Sequence, residues 1–138
     1  MQNIKSFQDV IRHLREISDS ESQKGHRFEL LMKRYFETDP VYAEEFDQVW
    51  LWSEFPHNGG KRDTGIDLVA REKRTGNYCA IQCKFYAEEY SIQKSDIDSF
   101  FTESGKKLYD SRIIISTTDK WSSNAEEALK DQSKDITR

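Results

Sequence analysis

Asp67, Gln82 and Lys84 are residues whose types and spacing can do chemistry together. Asp67 lies in Gly65-Ile66-Asp67-Leu68-Val69-Ala70. If that run is a strand, alternation puts Ile66, Leu68 and Ala70 on one face and Asp67 and Val69 on the other. In Cys79-Ala80-Ile81-Gln82-Cys83-Lys84-Phe85, the odd-numbered residues share one face; Ala80, Gln82 and Lys84 share the opposite one. Three polar side chains thus occupy inward positions of otherwise apolar strands, where a charged pair is costly without a purpose. A metal ion with a phosphate supplies a purpose. Phosphodiester hydrolysis by a hard cation needs oxygen ligands, an attacking water and a positive group near the scissile phosphate. Asp67 offers a carboxylate and Gln82 a neutral amide oxygen. Lys84 can position or deprotonate the water, or stabilise charge developing on phosphate. Residues i and i+2 of a strand lie about 6.6 Å apart on one face, close enough to serve one cation and its water.

These residues need elements to hold them. Ile4, Phe7, Val10, Ile11, Leu14 and Ile17 recur at helical spacing. A polar stretch from Ser18 to Lys24 follows, with Ser20 to Gln23 as capping candidates. A second helix is expected from about Lys24 to Glu37, with Phe28, Leu31, Met32, Tyr35 and Phe36 as its stripe and Pro40 as its stop. A short amphipathic stretch runs through Tyr42 and Phe46. Val49 to Trp52 reads as the first strand. Pro56 to Gly65 is rich in turn formers. Ile66–Arg71 and Tyr78–Phe85 read as the arms of a hairpin joined through residues 73–77. Lys94 to Phe101 reads as a helix with Ser95 at its cap. Arg112 to Ser116 reads as a strand buried on both faces, and Asn124 to Lys130 as a last helix. The order predicts an α/β sandwich around a central mixed sheet.

The 138 residues suit one domain. The formal charge of −4, from 21 basic and 25 acidic residues, is unlike a free-standing basic nucleic-acid binder. Any DNA surface must be local, and an acidic sum fits a domain tethered to a larger machine. Cys79 and Cys83 on one strand would sit roughly 13 Å apart, beyond disulfide reach. They read as core residues of a reduced, cytoplasmic protein. With no Cys or His partner nearby they make no zinc site. No apolar run approaches the roughly 18 residues of a membrane span, and the N-terminus lacks a signal peptide's apolar core.

Asp67 followed by Gln82-x-Lys84 on the far arm of a hairpin resembles the PD-(D/E)xK nuclease superfamily, which implies a restriction-endonuclease-like core. Glutamine in place of the second acid is similar to its Mrr-like branch. Gly25-His26-Arg27-Phe28-Glu29 resembles that branch's acid-bearing helix. Ile113 to Thr118, followed by Ala125, resembles its later strand, threonine turn and helix. Val49 to Glu54 with Asp63 to Ala70 is similar to the N-terminal nuclease domain of single-chain Type ISP restriction-modification enzymes. The resemblance implies Asp67, Gln82, Lys84 and Glu29 as the catalytic set. Asp67, Gln82, the Cys83 main-chain carbonyl and Glu29 (through water) would be the metal ligands. It implies Mg²⁺, with Mn²⁺ able to substitute, and double-stranded DNA as substrate. ATP would enter only through a helicase-like motor elsewhere in a parent protein that also carries a methyltransferase. Residues 1–138 would then be a single N-terminal nuclease domain of that parent, and cutting both strands would need a second copy. Gln82 removes one negative charge from the usual site and raises the weight on Glu29.

Other residues have two readings. Lys61 and Arg62, in the loop before Asp67, can contact phosphate or be a solvated turn. The same holds for Lys73 and Arg74. Thr117 and Thr118 can touch DNA or serve turn chemistry. Trp50 and Trp52 read as packing residues. His13, His26 and His57 lack metal-ligand spacing; His26 lies one turn before Glu29 and can lie near the site, with surface placement as the default expectation. Two further functions compete: a catalytically silent DNA-binding or docking module with the same fold, and a stand-alone Mrr-like enzyme acting on modified DNA.

Overall fold

A computed structural model describes residues 7–17, 20–61, 64–87, 89–130 and 136–137. The elements are α1 (Phe7–Ile17), α2 (Glu21–Thr38), α3 (Pro40–Glu45), β1 (Phe46–Leu51), a 3₁₀ turn (Trp52–Glu54), β2 (Leu68–Glu72), β3 (Tyr78–Lys84), α4 (Lys94–Ser104), β4 (Tyr109–Ser116), α5 (Ser123–Lys130) and β5 (Ile136–Thr137). The sheet order is β1-β2-β3-β4-β5. β1, β2 and β3 are antiparallel neighbours; β4 and β5 join in parallel. The sheet is mixed and carries helices on both faces, the α/β sandwich that the element order predicts and the kind of core that the family resemblance implies.

Each face has its own core. On one side Ile11 of α1 and Phe28, Met32 and Phe36 of α2 pack on Val49, Leu68, Ala70, Cys79, Ile81 and Ile113. On the other, Ile97 and Phe100 of α4 and Ala125 of α5 pack on Val69, Ala80 and Ile114, with Phe55, Ile92 and Tyr109. Consecutive Ile113 and Ile114 thus serve opposite cores, as a strand covered on both faces requires. Cys79 and Cys83 are free and buried. Among the described residues no helix is long and apolar enough to cross a membrane.

Several boundaries differ from the sequence expectation for identifiable reasons. α2 starts at Glu21 because Ser20 Oγ accepts the Gln23 N–H at 3.1 Å, a standard N-cap. Pro40 does not simply end that helix. Asp39 caps a new one by accepting from Val41 and Tyr42, and proline suits the first helical position. α4 is capped at Gln93 rather than Ser95, since the Asp96 carboxylate reaches back to the Gln93 N–H at 2.8 Å. β1 begins at Phe46, whose ring packs on Phe36 and Tyr42. Trp52 leaves the strand for the 3₁₀ turn.

Ile66 also departs from strict alternation. It packs with Val69 and α4, not with Leu68. Gly65 has φ +83°, so the chain enters β2 through a conformation favouring glycine. A Cβ there would meet the Phe100 main-chain nitrogen at 2.7 Å. Gly65→Ala is therefore expected to cost about 2–4 kcal/mol, through strain and a clash with backbone. Urea unfolding checks this, and the placement of Asp67, two residues away, should be disturbed with it.

Candidate active site

Asp67 sits immediately before β2, at the end of the β2–β3 ladder. In a regular antiparallel pair a hydrogen-bonded residue exchanges both main-chain bonds with one neighbour. Asp67 divides its own: its N–H donates to Ile81 O at 2.9 Å, and its carbonyl accepts from Trp52 N at 2.9 Å. Its side chain then replaces the missing rung. Oδ2 accepts the Cys83 N–H at 2.7 Å, so the carboxylate is fixed by the main chain of β3. The regular register ends at the pair of Leu68 with Ile81, so Asp67 stands just past the ladder, facing the stretch of β3 that carries Gln82 and Cys83.

Gln82 is 1% exposed. Its Nε2 donates to the Asp96 main-chain oxygen of α4 at 3.3 Å, while its Oε1 is buried with no hydrogen-bond partner. Lys84 is half-buried at the strand's end. Tyr86, two residues on, is held by its main chain. Its N–H donates to Thr117 Oγ1 at 2.7 Å, and its carbonyl accepts from Thr117 Oγ1 and from Arg15 Nη2, each at 2.7 Å. The Thr117 hydroxyl is therefore engaged in tying the β3 exit to the β4 exit. Thr118 does the same for Tyr90, donating to its carbonyl at 2.8 Å.

Glu29 comes from α2, on the other side of the sheet. One cleft of about 580 Å³ is lined by Glu29, Asp67, Gln82 and Lys84 together with His26, Asp96 and residues of the Leu51–Ser53 and Thr64–Ile66 segments. The sequence-predicted set of four thus meets in one place. Burial, then the nearby Asp67 charge, pushes the Glu29 carboxyl up to about 7 against the pull of Lys84. Burial pushes Asp67 up to about 6, although the Cys83 N–H and Lys84 both favour its charged form. The site carries more negative charge than its own cation neutralises.

Two features fit a divalent cation. Two carboxyl groups are held where their charge is disfavoured, and an amide oxygen is buried without a donor. Among the described residues no group of three His, Cys, Asp or Glu side chains could hold a metal, because the position beside Asp67 is an amide. Asp67, Gln82 and Glu29 provide oxygen donors suited to a hard ion.

The DNA-contact candidates lie elsewhere. Lys61 is exposed, 3.8 Å from Glu103 across an ion pair, and its carbonyl accepts from Trp52 Nε1 at 2.9 Å. Arg62 lies outside the described residues. Sequence reasoning missed Asp96, whose main chain holds Gln82. His26 is exposed, as its default surface placement expects, and it also lines the cleft, the alternative that its position one turn before Glu29 on one helical face offered.

The restriction-endonuclease family model Mrr_cat_2 matches residues 37–138. The chain belongs to that restriction endonuclease family. Asp67, Gln82 and Lys84 fall within the matched residues; Glu29 precedes them. The chain is also similar to a solved structure described as the ATP-dependent Type ISP restriction-modification enzyme LlaBIII bound to DNA, with 36% identity and a TM-score of 0.76. That match covers 96% of this chain and 8% of LlaBIII. No curated protein matches the chain. The family and this likeness make the chain a nuclease of the restriction-endonuclease class, as the Asp67 and Gln82-x-Lys84 resemblance implies.

The carboxyl shifts have a consequence for stability. A carboxyl whose folded pKa is raised binds its proton more tightly in the native state, so its contribution to stability falls as pH rises from the unfolded to the folded value. For Asp67 that interval runs from 3.8 to about 6; for Glu29 it runs from 4.5 to about 7. Asp67→Asn and Glu29→Gln should each raise the metal-free melting temperature at pH 8, on the order of 5 °C. The gain should shrink toward pH 4.5. Thermal melts across that range test it, and a loss of stability at pH 8 would contradict the strained-site account.

Proposed function

We propose that this chain is the Mg²⁺-dependent DNA-cleaving module of an ATP-dependent restriction-modification enzyme of the Type ISP kind. The observation that carries the metal reading is the buried, partnerless Oε1 of Gln82 in the cleft that also holds Asp67, Glu29 and Lys84. The likeness to DNA-bound LlaBIII supports duplex DNA as substrate and an attached ATP-driven motor. A methyltransferase in the same parent, a second copy for double-strand cleavage and a cytoplasmic setting belong to this reading. Residues 1–138 then act as one nuclease domain within that parent.

In this mechanism Asp67, Gln82 Oε1 and the Cys83 carbonyl would hold the ion directly, with Glu29 reaching it through water. A divalent cation bound there supplies a Lewis acid for the scissile phosphate and lowers the pKa of an attacking water. The chain's own residues do the rest. The Cys83 N–H fixes the orientation of Asp67, so no side-chain reorganisation is needed on binding. The Lys84 ammonium stabilises negative charge growing on the phosphate oxygens. Glu29, with its carboxyl near 7, orients the attacking water and takes its proton. Lys61 and Arg62 are the phosphate-contact residues of this reading; Thr117, also a DNA-contact candidate by sequence, has its hydroxyl bound to the Tyr86 main chain and acts by holding the strand behind Lys84.

The test is cleavage of supercoiled plasmid by the chain in its parent protein, with Mg²⁺ or Mn²⁺. Asp67→Ala and Lys84→Ala should each slow nicking by about 10²–10³-fold without abolishing DNA binding. Undiminished cutting by either variant would defeat the assignment. A parent with no metal-dependent cutting at all would favour a silent docking module.

A further inference from the structure

We propose that Asp96 is a positioning residue for Gln82, and that its main-chain carbonyl is the reason position 82 carries an amide rather than a carboxylate. The inference rests on the reading of Gln82 as a metal ligand.

An amide side chain has distinct ends: two N–H donors on one atom and an acceptor oxygen on the other. The Asp96 carbonyl can only accept. It therefore takes Nε2, at 3.3 Å, and Oε1 must turn away from it. Oε1 is buried and partnerless, on the strand face it shares with Lys84. A carboxylate at this position would set one acceptor oxygen against another with no proton between them. In a site only 1% exposed at this residue, water cannot relieve that clash, so the cost is that of an unsatisfied buried polar pair.

The carbonyl is itself held in place. The Asp96 carboxylate accepts from the Gln93 N–H at 2.8 Å and from the Tyr90 hydroxyl at 2.7 Å. This closes the first turn of α4 and ties it to the segment that leaves β3. Tyr90 stacks on Tyr86 with centroids 4.4 Å apart, and Thr118 holds the Tyr90 carbonyl. A connected path thus leaves β3 at Lys84, passes through Tyr86, Tyr90 and Asp96, and returns to β3 at Gln82. One residue, Asp96, fixes which end of the amide faces the ion while its neighbours fix the strand that carries Lys84.

The experiment titrates Mn²⁺ alone into the wild-type chain and three variants by calorimetry, with metal-free melting curves alongside. Adding a negative charge would ordinarily tighten cation binding. Here Gln82→Glu is expected to bind Mn²⁺ on the order of tenfold more weakly and to melt lower without metal. Asp96→Ala should weaken Mn²⁺ binding by about the same factor, and Asp96→Asn, which keeps acceptors for Gln93 and Tyr90, should restore most of it. In cleavage assays Asp96→Ala should raise half-saturating Mg²⁺ far more than it lowers the rate at saturation. Should Asp96→Ala fold poorly, the Gln82 side-chain NH₂ resonance, protected from exchange in the wild type, gives a second readout in Asp96→Asn, where it should stay protected. Tighter Mn²⁺ binding by Gln82→Glu, or a Gln82 NH₂ that exchanges freely in the wild type, overturns the positioning role alone. No Mn²⁺ binding by the wild type would remove the metal site and this inference with it.

Discussion

The hydrogen bond from the Cys83 N–H to Asp67 Oδ2 joins the fold to its chemistry. At 2.7 Å it is a charge-assisted bond of the stronger kind, and it sits where the β2–β3 ladder stops. Gly65 turns the chain into β2 with φ +83°, which leaves Asp67 outside the regular strand. Without a side-chain acceptor the Cys83 N–H would face the site with no strand to pair it. The carboxylate is therefore both a structural rung and a charge presented to the cleft. Its position cannot change without disturbing the end of β3 at Cys83, one residue from Lys84.

The two-layer construction explains why the site forms at the sheet's end. Each face is covered by its own helices, so a polar group at mid-strand would be sealed from substrate. At the start of β2 and the end of β3, groups from both covers reach one cleft. Glu29 arrives from α2 and the Asp96 carbonyl from α4, so the cleft draws on both layers at once. The anchors of Tyr86 complete this arrangement. Arg15 of α1 and Thr117 after β4 converge on its main chain, and Arg15 also lies over the Phe85 ring at 5.2 Å. Lys84 is thereby set between two fixed points although its own side chain is long and flexible.

Much of this was legible in the sequence because its signals are local. The i, i+2 relation of Gln82 and Lys84 needs only strand geometry, and the β2–β3 hairpin needs only two β-prone runs around a turn. Consecutive Ile113 and Ile114 announced a strand covered on both sides. What stayed hidden depends on groups meeting from afar. Ile66 changes face because a left-handed glycine precedes it, and alternation has no term for that. Pro40 stops one helix and starts the next, and only the Asp39 cap separates the two outcomes. Asp96 looks like an ordinary first-turn acid, yet its carbonyl meets a strand fourteen residues back. β5, two residues long, has no periodicity to read.

The amide at position 82 ties these points together. Burial already raises the cost of ionising both Glu29 and Asp67, and the Asp67 charge adds to that cost at Glu29. A third carboxylate would deepen that strain in the metal-free protein. An amide contributes an oxygen ligand without a charge, and unlike a carboxylate it can be oriented by a single carbonyl. The site then offers one negative charge fewer to a cation, which under the proposed function leaves the phosphate of bound DNA a larger share in neutralising the ion. A nuclease that depends on DNA to assemble its metal site is poorly poised for cutting until substrate arrives. Under the proposed function, in which target choice is made elsewhere in a longer parent, that dependence follows from the chemistry of one side chain.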